Sequence, residues 1–391
     1  MQTSGKDALY IDTQSEFESF VQSAQEADVL AIDTEFMREK TYYPRLCLLQ
    51  MATDEQVVIV DPFQIEDLTI LSGLLSDNRI MKVFHAGRQD IEIMLREVGF
   101  VPHPLFDTQI AATLMGHVQQ IGLAALISSI MGIQLKKSDS FTDWARRPLS
   151  QSQINYAADD VRYLPQIYRT MSNQLAKTNR LHWLNSDFEA LADESKYTTD
   201  PRERYIHLKR VSQLSRPQLS AARELAAWRE QKAQNCDIPR KWVLTDEQVV
   251  EACRREARTI DELMMVRGIS EKLSTKDART VAAAIATGLD LPRNQMPTLV
   301  RSQRNEANVD AEVDALNVIV TMRARENNIA LQTLASQKEL VEVARGHRDV
   351  EVLKGWRREI VGNELIAFME GKLQILCKDG KVVIESYMSS D

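Results

Sequence analysis

The 391-residue sequence has only four cysteines, Cys47, Cys236, Cys253 and Cys377, and no CxxC pair. A zinc site built on adjacent thiolates is therefore not expected, and a chain of this size needs no disulfide framework. Cys47 and Cys377 lie in apolar runs and read as small core residues. Glycine (14) and proline (11) are too scarce for a collagen-like or low-complexity protein. The longest apolar stretch, 122–135, is interrupted by Ser128, Ser129 and Gln134 and falls short of the roughly 20 residues a spanning helix needs. Residues 1–10 lack the basic start and apolar run of a secretory signal. Together these absences lead to the expectation of a soluble, cytoplasmic protein. An excess of positive charge is missing too: the formal net charge is −8, which leaves no global footprint for nucleic acid. A nucleic-acid substrate is still compatible with that balance, because divalent cations on a carboxylate cluster meet phosphates and local basic patches do the rest.

What is present is ordinary globular composition, 44% hydrophobic and 27% charged, at a length that suggests two or three domains. The first third alternates strand and helix signals. Residues 10–12 are strand-like, and Thr13 or Ser15 is placed to cap an amphipathic run to Ala27. Three β-rich segments follow, 29–36, 46–52 and 57–61, separated by Pro44 and the polar run 53–56. Residues 65–75 read as helix, 81–84 as a buried strand and 91–98 as helix, with only helices and loops from 106 to 178. Strands followed by covering helices predict an α/β domain. Beyond about residue 180 the strand signal nearly vanishes. Residues 185–200 are acidic and polar, and 202–210 carry four basic residues and one acid. Two helical segments on either side of a break at 291–297 resemble each other. One contains Leu225–Glu230 and Ile238-Pro239, the other Val318–Arg323 and Ile329-Ala330. The expected organisation is a domain at 1–180, a polar linker at 181–212, helical bundles at 213–291 and 305–391, and a linker at 292–304.

Candidate chemistry sits in the acids. Asp33 and Glu35 close an apolar strand, and residues two apart on a strand share a face. Carboxylates are costly to bury unless compensated, and hard divalent cations take carboxylate oxygens. The same pair also fits a strand end where both acids are solvated. Asp90 lies in the first turn of a predicted helix, where the helix dipole alone favours an acid. Tyr156 and Asp160, four apart on a predicted helix, share a face, whereas Asp159 faces elsewhere and reads as solvated. Four acids from a strand and two helices, with a phenol, suit two-metal phosphoryl transfer.

These residues resemble the DEDD exonucleases in their tyrosine-containing subclass. Asp33-x-Glu35 resembles the first motif, Asp90 the second and Tyr156-x-x-x-Asp160 the third. The histidine subclass places its histidine where this chain has Asn155. Phe84–Gly87, Phe106–Gln109, Ser140–Trp144 and Arg147–Leu149 resemble the bacterial ribonuclease D family, and the two helical segments resemble HRDC domains. The resemblance implies an α/β ribonuclease H-like exonuclease domain, a mixed sheet flanked by helices, followed by two all-α HRDC-like bundles. It implies stepwise 3′-to-5′ hydrolysis of RNA, with release of nucleoside 5′-monophosphates and trimming of tRNA precursors and other small structured RNAs. It implies Mg2+ or Mn2+, two ions per site, on Asp33, Glu35, Asp90 and Asp160, with Tyr156 positioning the attacking water. Thr34 and Phe36 are expected at the terminal nucleotide, Phe36 as a stacking face or as core. His85 is expected to meet the substrate or orient its turn. Arg88-Gln89 departs from the smaller or acidic residues that many relatives place before this aspartate.

The helical repeats carry no catalytic constellation. Arg254, Arg255 and Arg258 cluster on one helix and Arg293, Arg301 and Arg304 in an acid-free linker, either tracking phosphates or forming a solvated face. From residue 305 onward, 11 Lys and Arg stand against 15 Asp and Glu, so the second repeat is expected to shape the RNA path or serve as an interaction surface. A monomer is expected. A DNA 3′-exonuclease, a non-catalytic RNA-binding scaffold and a structural metal site remain alternatives at this level.

Overall fold

The computed structural model describes residues 7–135, 142–299 and 307–387. Ser140, Phe141, Arg301 and Arg304, named above, lie outside the described residues. Six strands form one sheet: β1 (Ala8–Ile11), β2 (Val29–Met37), β3 (Arg45–Ala52), β4 (Val57–Val60), β5 (Met81–Phe84) and β6 (Leu105–Asp107). Their order is β1-β4-β3-β2-β5-β6. β1 runs parallel to β4, β2 to β5 and β5 to β6, while β3 and β4 are antiparallel. The sheet is mixed, as expected. β2 lies inside it, so Val29 to Ile32 are all buried and the strand reads as a continuous apolar run rather than an alternating one.

Two expectations for this domain need correction. β6 falls where the sequence predicts only loop or helix: three residues are too few to show alternation, yet all three are buried and pair with β5. The helix expected over 65–75 shortens to a 3-10 turn, Thr69–Leu71, and a helix Ser72–Ser76. The side chain of Gln14 accepts the Glu66 and Asp67 N–H groups and holds that stretch out of helix.

The chain divides into two compact bodies. One comprises the described parts of 1–34, 48–192 and 306–391, the other those of 35–47 and 193–305. In the second body the helix Arg216–Cys236 ends at Asp237 in the left-handed region, φ 47°. A short helix Arg240–Val243 follows, then Asp246–Arg254 with a Thr245/Gln248 capping box, Ile260–Met264 and Thr275–Leu289. The first body repeats the series. The helix Asp310–Asn327 ends at Asn328, φ 51°, then come Leu331–Leu334 and Gln337–Ala344 with a Ser336/Glu339 capping box. The similarity expected across 291–297 is thus visible element by element. After Asn363–Met369 the second series departs from helix: β7 (Leu373–Lys378) and β8 (Lys381–Ser386) form a hairpin. Cys377 is therefore exposed rather than core, whereas Cys47 is buried.

The second helical series is fastened to the exonuclease portion within the first body. Trp183 and Trp356 stack with centroids 4.6 Å apart and planes within 4°. Arg180 donates to the Asn327 carbonyl at 2.7 Å and the Ala330 N–H to the Thr113 carbonyl at 2.8 Å.

In the second body the helix Thr275–Leu289 packs closely on Arg216–Cys236 at Gly288, where a Cβ would stand 2.5 Å from the Ala221 Cα. Overpacking of this kind costs roughly 1–3 kcal/mol. Gly288→Val is expected to lower a calorimetric unfolding transition by several degrees; an unchanged thermogram would show that the two helices yield freely.

Candidate active site

The site is built outward from β2. Its apolar half is buried between neighbouring strands, and it delivers Asp33 and Glu35, both partly buried, at its far half. The helix Gln151–Arg162 supplies Asp160. Ser150 fixes the start of that helix through a capping box with Gln153, and Ala157, Ala158 and Val161 bury its inner face. Carboxylate oxygens of Asp33, Glu35 and Asp160 lie within 4.8 Å of one another. Tyr156 stands one turn before Asp160, its ring 6.0 Å from that of the buried Trp144.

Asp90 comes from the helix Arg88–Val98, and the turn that aims it is closely specified. Ala86 has φ 59°, and at Gly87 a Cβ would lie 2.4 Å from the Phe84 Cβ, so no other residue fits. The Asp107 carboxylate accepts the Gly87 N–H at 2.8 Å and the Ala86 N–H at 3.2 Å, while capping the helix Thr108–Thr113. Asp90 is 7% exposed, and the Thr34 hydroxyl donates to its Oδ1 at 2.5 Å. The structure therefore brings three of the four expected acids into one oxygen cluster and ties the fourth to β2 through Thr34.

His85 has both ring nitrogens engaged inside the protein. Nε2 faces the Ile121 carbonyl at 3.0 Å and so must donate, and Nδ1 lies 2.9 Å from the Thr108 hydroxyl. Burial lowers its pKa. These contacts serve the turn-orienting reading. Phe36 is partly buried, and Arg88 and Gln89 are exposed. Asp159, read as solvated, is partly buried and pairs with Arg162 at 2.8 Å.

Sequence reasoning missed the bracing around the site. Arg147 binds Asp61 at the end of β4 through Nε (2.6 Å) and Nη2 (2.8 Å) and covers the Phe63 ring at 4.8 Å. Tyr10 donates to the same carboxylate at 2.7 Å. The signal in the sequence is the Arg147-Pro148-Leu149 motif, whose partner Asp61 is 86 residues away.

Electrostatics mark the cluster as cation-seeking. Burial, then the charges of Asp159 and Asp90, push Asp160 up to about 7. Burial pushes Asp90 up to about 6, against the Thr34 hydrogen bond, which lowers it. Close carboxylates cannot all ionise without compensation, and an all-oxygen donor set of this charge fits a hard divalent cation.

Comparison with known proteins follows the same lines. Residues 9–176 match the 3′-5′ exonuclease family and residues 218–285 the HRDC domain. The ribonuclease D of Granulibacter bethesdensis is 38% identical over 358 residues, 90% of each chain. That of a Jannaschia species is 37% identical over 387 residues, 96% of this chain and 98% of the relative. The chain belongs to the ribonuclease D family. Its fold is similar to the crystal structure of Escherichia coli RNase D, described as an exoribonuclease involved in structured RNA processing. The TM-score is 0.80 at 27% identity, covering 94% of this chain and 99% of that one. The protein is thus a 3′-to-5′ exoribonuclease with an HRDC region, and among its described residues no helix is long and apolar enough to cross a membrane.

The raised acids set a sign for pH. Asp160 and Asp90 keep protons in the folded chain that the unfolded chain releases, so they reduce metal-free stability as pH rises from about 4 to about 7. Mg2+ binds the ionised form, so its effect on the thermal midpoint is expected to grow between about pH 5 and pH 8. Asp160→Asn is expected to raise the metal-free midpoint at the upper end and remove most of the Mg2+ gain. An unchanged Mg2+ response in that variant would separate the cluster from metal binding.

Proposed function

We propose that this exoribonuclease trims the 3′ ends of tRNA precursors and other small structured RNAs, releasing nucleoside 5′-monophosphates, as a cytoplasmic monomer. The observation that carries the reading is the convergence of Asp33, Glu35 and Asp160 within 4.8 Å, with Asp90 held to β2 by Thr34. In this reading Asp33, Glu35, Asp90 and Asp160 hold two divalent ions, Mg2+ or Mn2+. Such ions supply an activated water and neutralise the charge that develops on the leaving oxygen. The residues themselves do the positioning. Thr34 fixes the Asp90 carboxylate. Tyr156, on the face of the helix that carries Asp160, orients the water by its hydroxyl. Phe36 and Thr34 border the terminal nucleotide, and His85 shapes the turn leading to Asp90. The relatives named ribonuclease D support RNA as the substrate class.

A 5′-labelled tRNA precursor with a 3′ trailer tests this, incubated with Mg2+ or with EDTA beside a single-stranded DNA of matched length. The expected result is a metal-dependent ladder on RNA that stops near the mature end. Asp33→Ala should cut cleavage at least about 100-fold while RNA is still retained on a filter, and Tyr156→Phe should slow cleavage with little change in metal affinity. A ladder on DNA alone would replace the reading with a DNA exonuclease; near-normal cleavage by Asp33→Ala would remove the site.

A further inference from the structure

The basic segment 202–210 takes no part in the catalytic reading, yet in the second body it lines a cavity of about 680 Å3. Three stretches of chain build the wall: Arg38 and Tyr42 after β2, Arg204 and Lys209 from the basic segment, and Arg229 and Lys241 from the first helical bundle. A space of this size holds a ligand of nucleotide dimensions.

The charges in the wall are unevenly matched. The fully buried Glu230 compensates Arg240 at 2.5 Å and Arg204 at 3.5 Å, and also accepts the Tyr42 hydroxyl. Arg229 pairs with Asp246 at 2.8 Å, yet it is 5% exposed and its Nε has no hydrogen-bond partner. Three acids, Glu39, Asp246 and Glu247, share the lining. The Lys209 and Lys241 ammonium groups have no hydrogen bond or ion pair among the described residues, and His207 lines the same cavity. With Glu230 included, six lysines and arginines in the wall stand against four acids, which leaves a local surplus of positive charge in a chain of net charge −8. By contrast, three of the six arginines considered for tracking phosphates are paired with acids. Arg254 and Arg255 both pair with Glu251, and Arg258 with Asp290.

Arg38 is three residues beyond Glu35 on the same strand and its continuation, within about 10 Å of chain. A 3′-to-5′ exonuclease holds the 3′ end at its carboxylates, so all remaining RNA lies 5′ of the site. We propose that this cavity is a phosphate cradle that grips the single-stranded RNA backbone a few nucleotides 5′ of the bond being hydrolysed, with Lys209 and Lys241 as its principal contacts. The proposal rests on the exoribonuclease reading for its polarity, but the cradle's grip on RNA can be measured without cleavage.

The test uses the full chain and a fluorescent single-stranded RNA in EDTA, titrated at several salt concentrations. The double variant Lys209→Glu/Lys241→Glu is expected to weaken binding at least tenfold. The milder Lys209→Gln/Lys241→Gln should flatten the plot of log affinity against log salt by about 1.4, the loss of two single-strand phosphate contacts. With Mg2+, KM for a longer strand should rise while kcat, and hydrolysis of a dinucleotide too short to reach the cradle, stay unchanged. Affinity and salt slope unchanged in both variants would overturn the cradle, as would displacement of the RNA by an acidic peptide of equal charge. A wild-type chain that binds with this slope but cleaves nothing would refute the proposed function and leave the cradle standing.

Discussion

Everything near the site answers to one electrostatic constraint: carboxylates must be held close together and partly out of water, although each opposes the ionisation of the others. Burial and neighbouring acids lift Asp160 to about 7 and Asp90 to about 6, so the arrangement is paid for by the surrounding fold. The apolar half of β2 anchors the strand inside the sheet, and the Ser150 capping box fixes the helix that carries Asp160. Asp107 clamps the turn before Asp90, and Thr34 secures its carboxylate. A cation is the natural counterweight, so the metal-binding role proposed for these residues and the stability of the metal-free chain make opposing demands on them.

The loop after β2 answers to a second set of contacts. Asp237, the left-handed residue that closes the helix Arg216–Cys236, accepts the N–H groups of Tyr42 and Tyr43 at 3.1 Å. The Tyr42 ring is covered by Arg240 at 4.9 Å. The helical bundle therefore holds the continuation of the strand that bears Asp33 and Glu35. Its family resemblance to a nucleic-acid-associated module and its role as a buttress for that loop are compatible, since both need a rigid face.

Much of this was legible in the sequence because it is local. An apolar run ending in Asp33-x-Glu35 declares a buried strand with two acids on one face, and a four-residue spacing places Tyr156 beside Asp160. The repeat of the helical series was legible for the same reason, through its periodic apolar positions and its caps. What stayed hidden depends on distant partners. β6 shows no alternation in three residues and is a strand only because β5 pairs with it. Arg147 gains its role from Asp61, and His85 from Thr108 and Ile121. The C-terminal hairpin misled in the opposite direction: its apolar residues suggested a core, but two strands with one partly covered face leave Cys377 at the surface.

The stack of Trp183 on Trp356 has a consequence for synthesis. The second aromatic is made roughly 170 residues after the first, and at about 5–20 residues per second the interval is on the order of 10–35 s. Throughout that time the nascent exonuclease portion carries an uncovered tryptophan face, together with the unmet Thr113 carbonyl that Ala330 later satisfies. The helical bundle encoded between them emerges and can fold first, so the body that contains the catalytic sheet is the last part of the molecule to close.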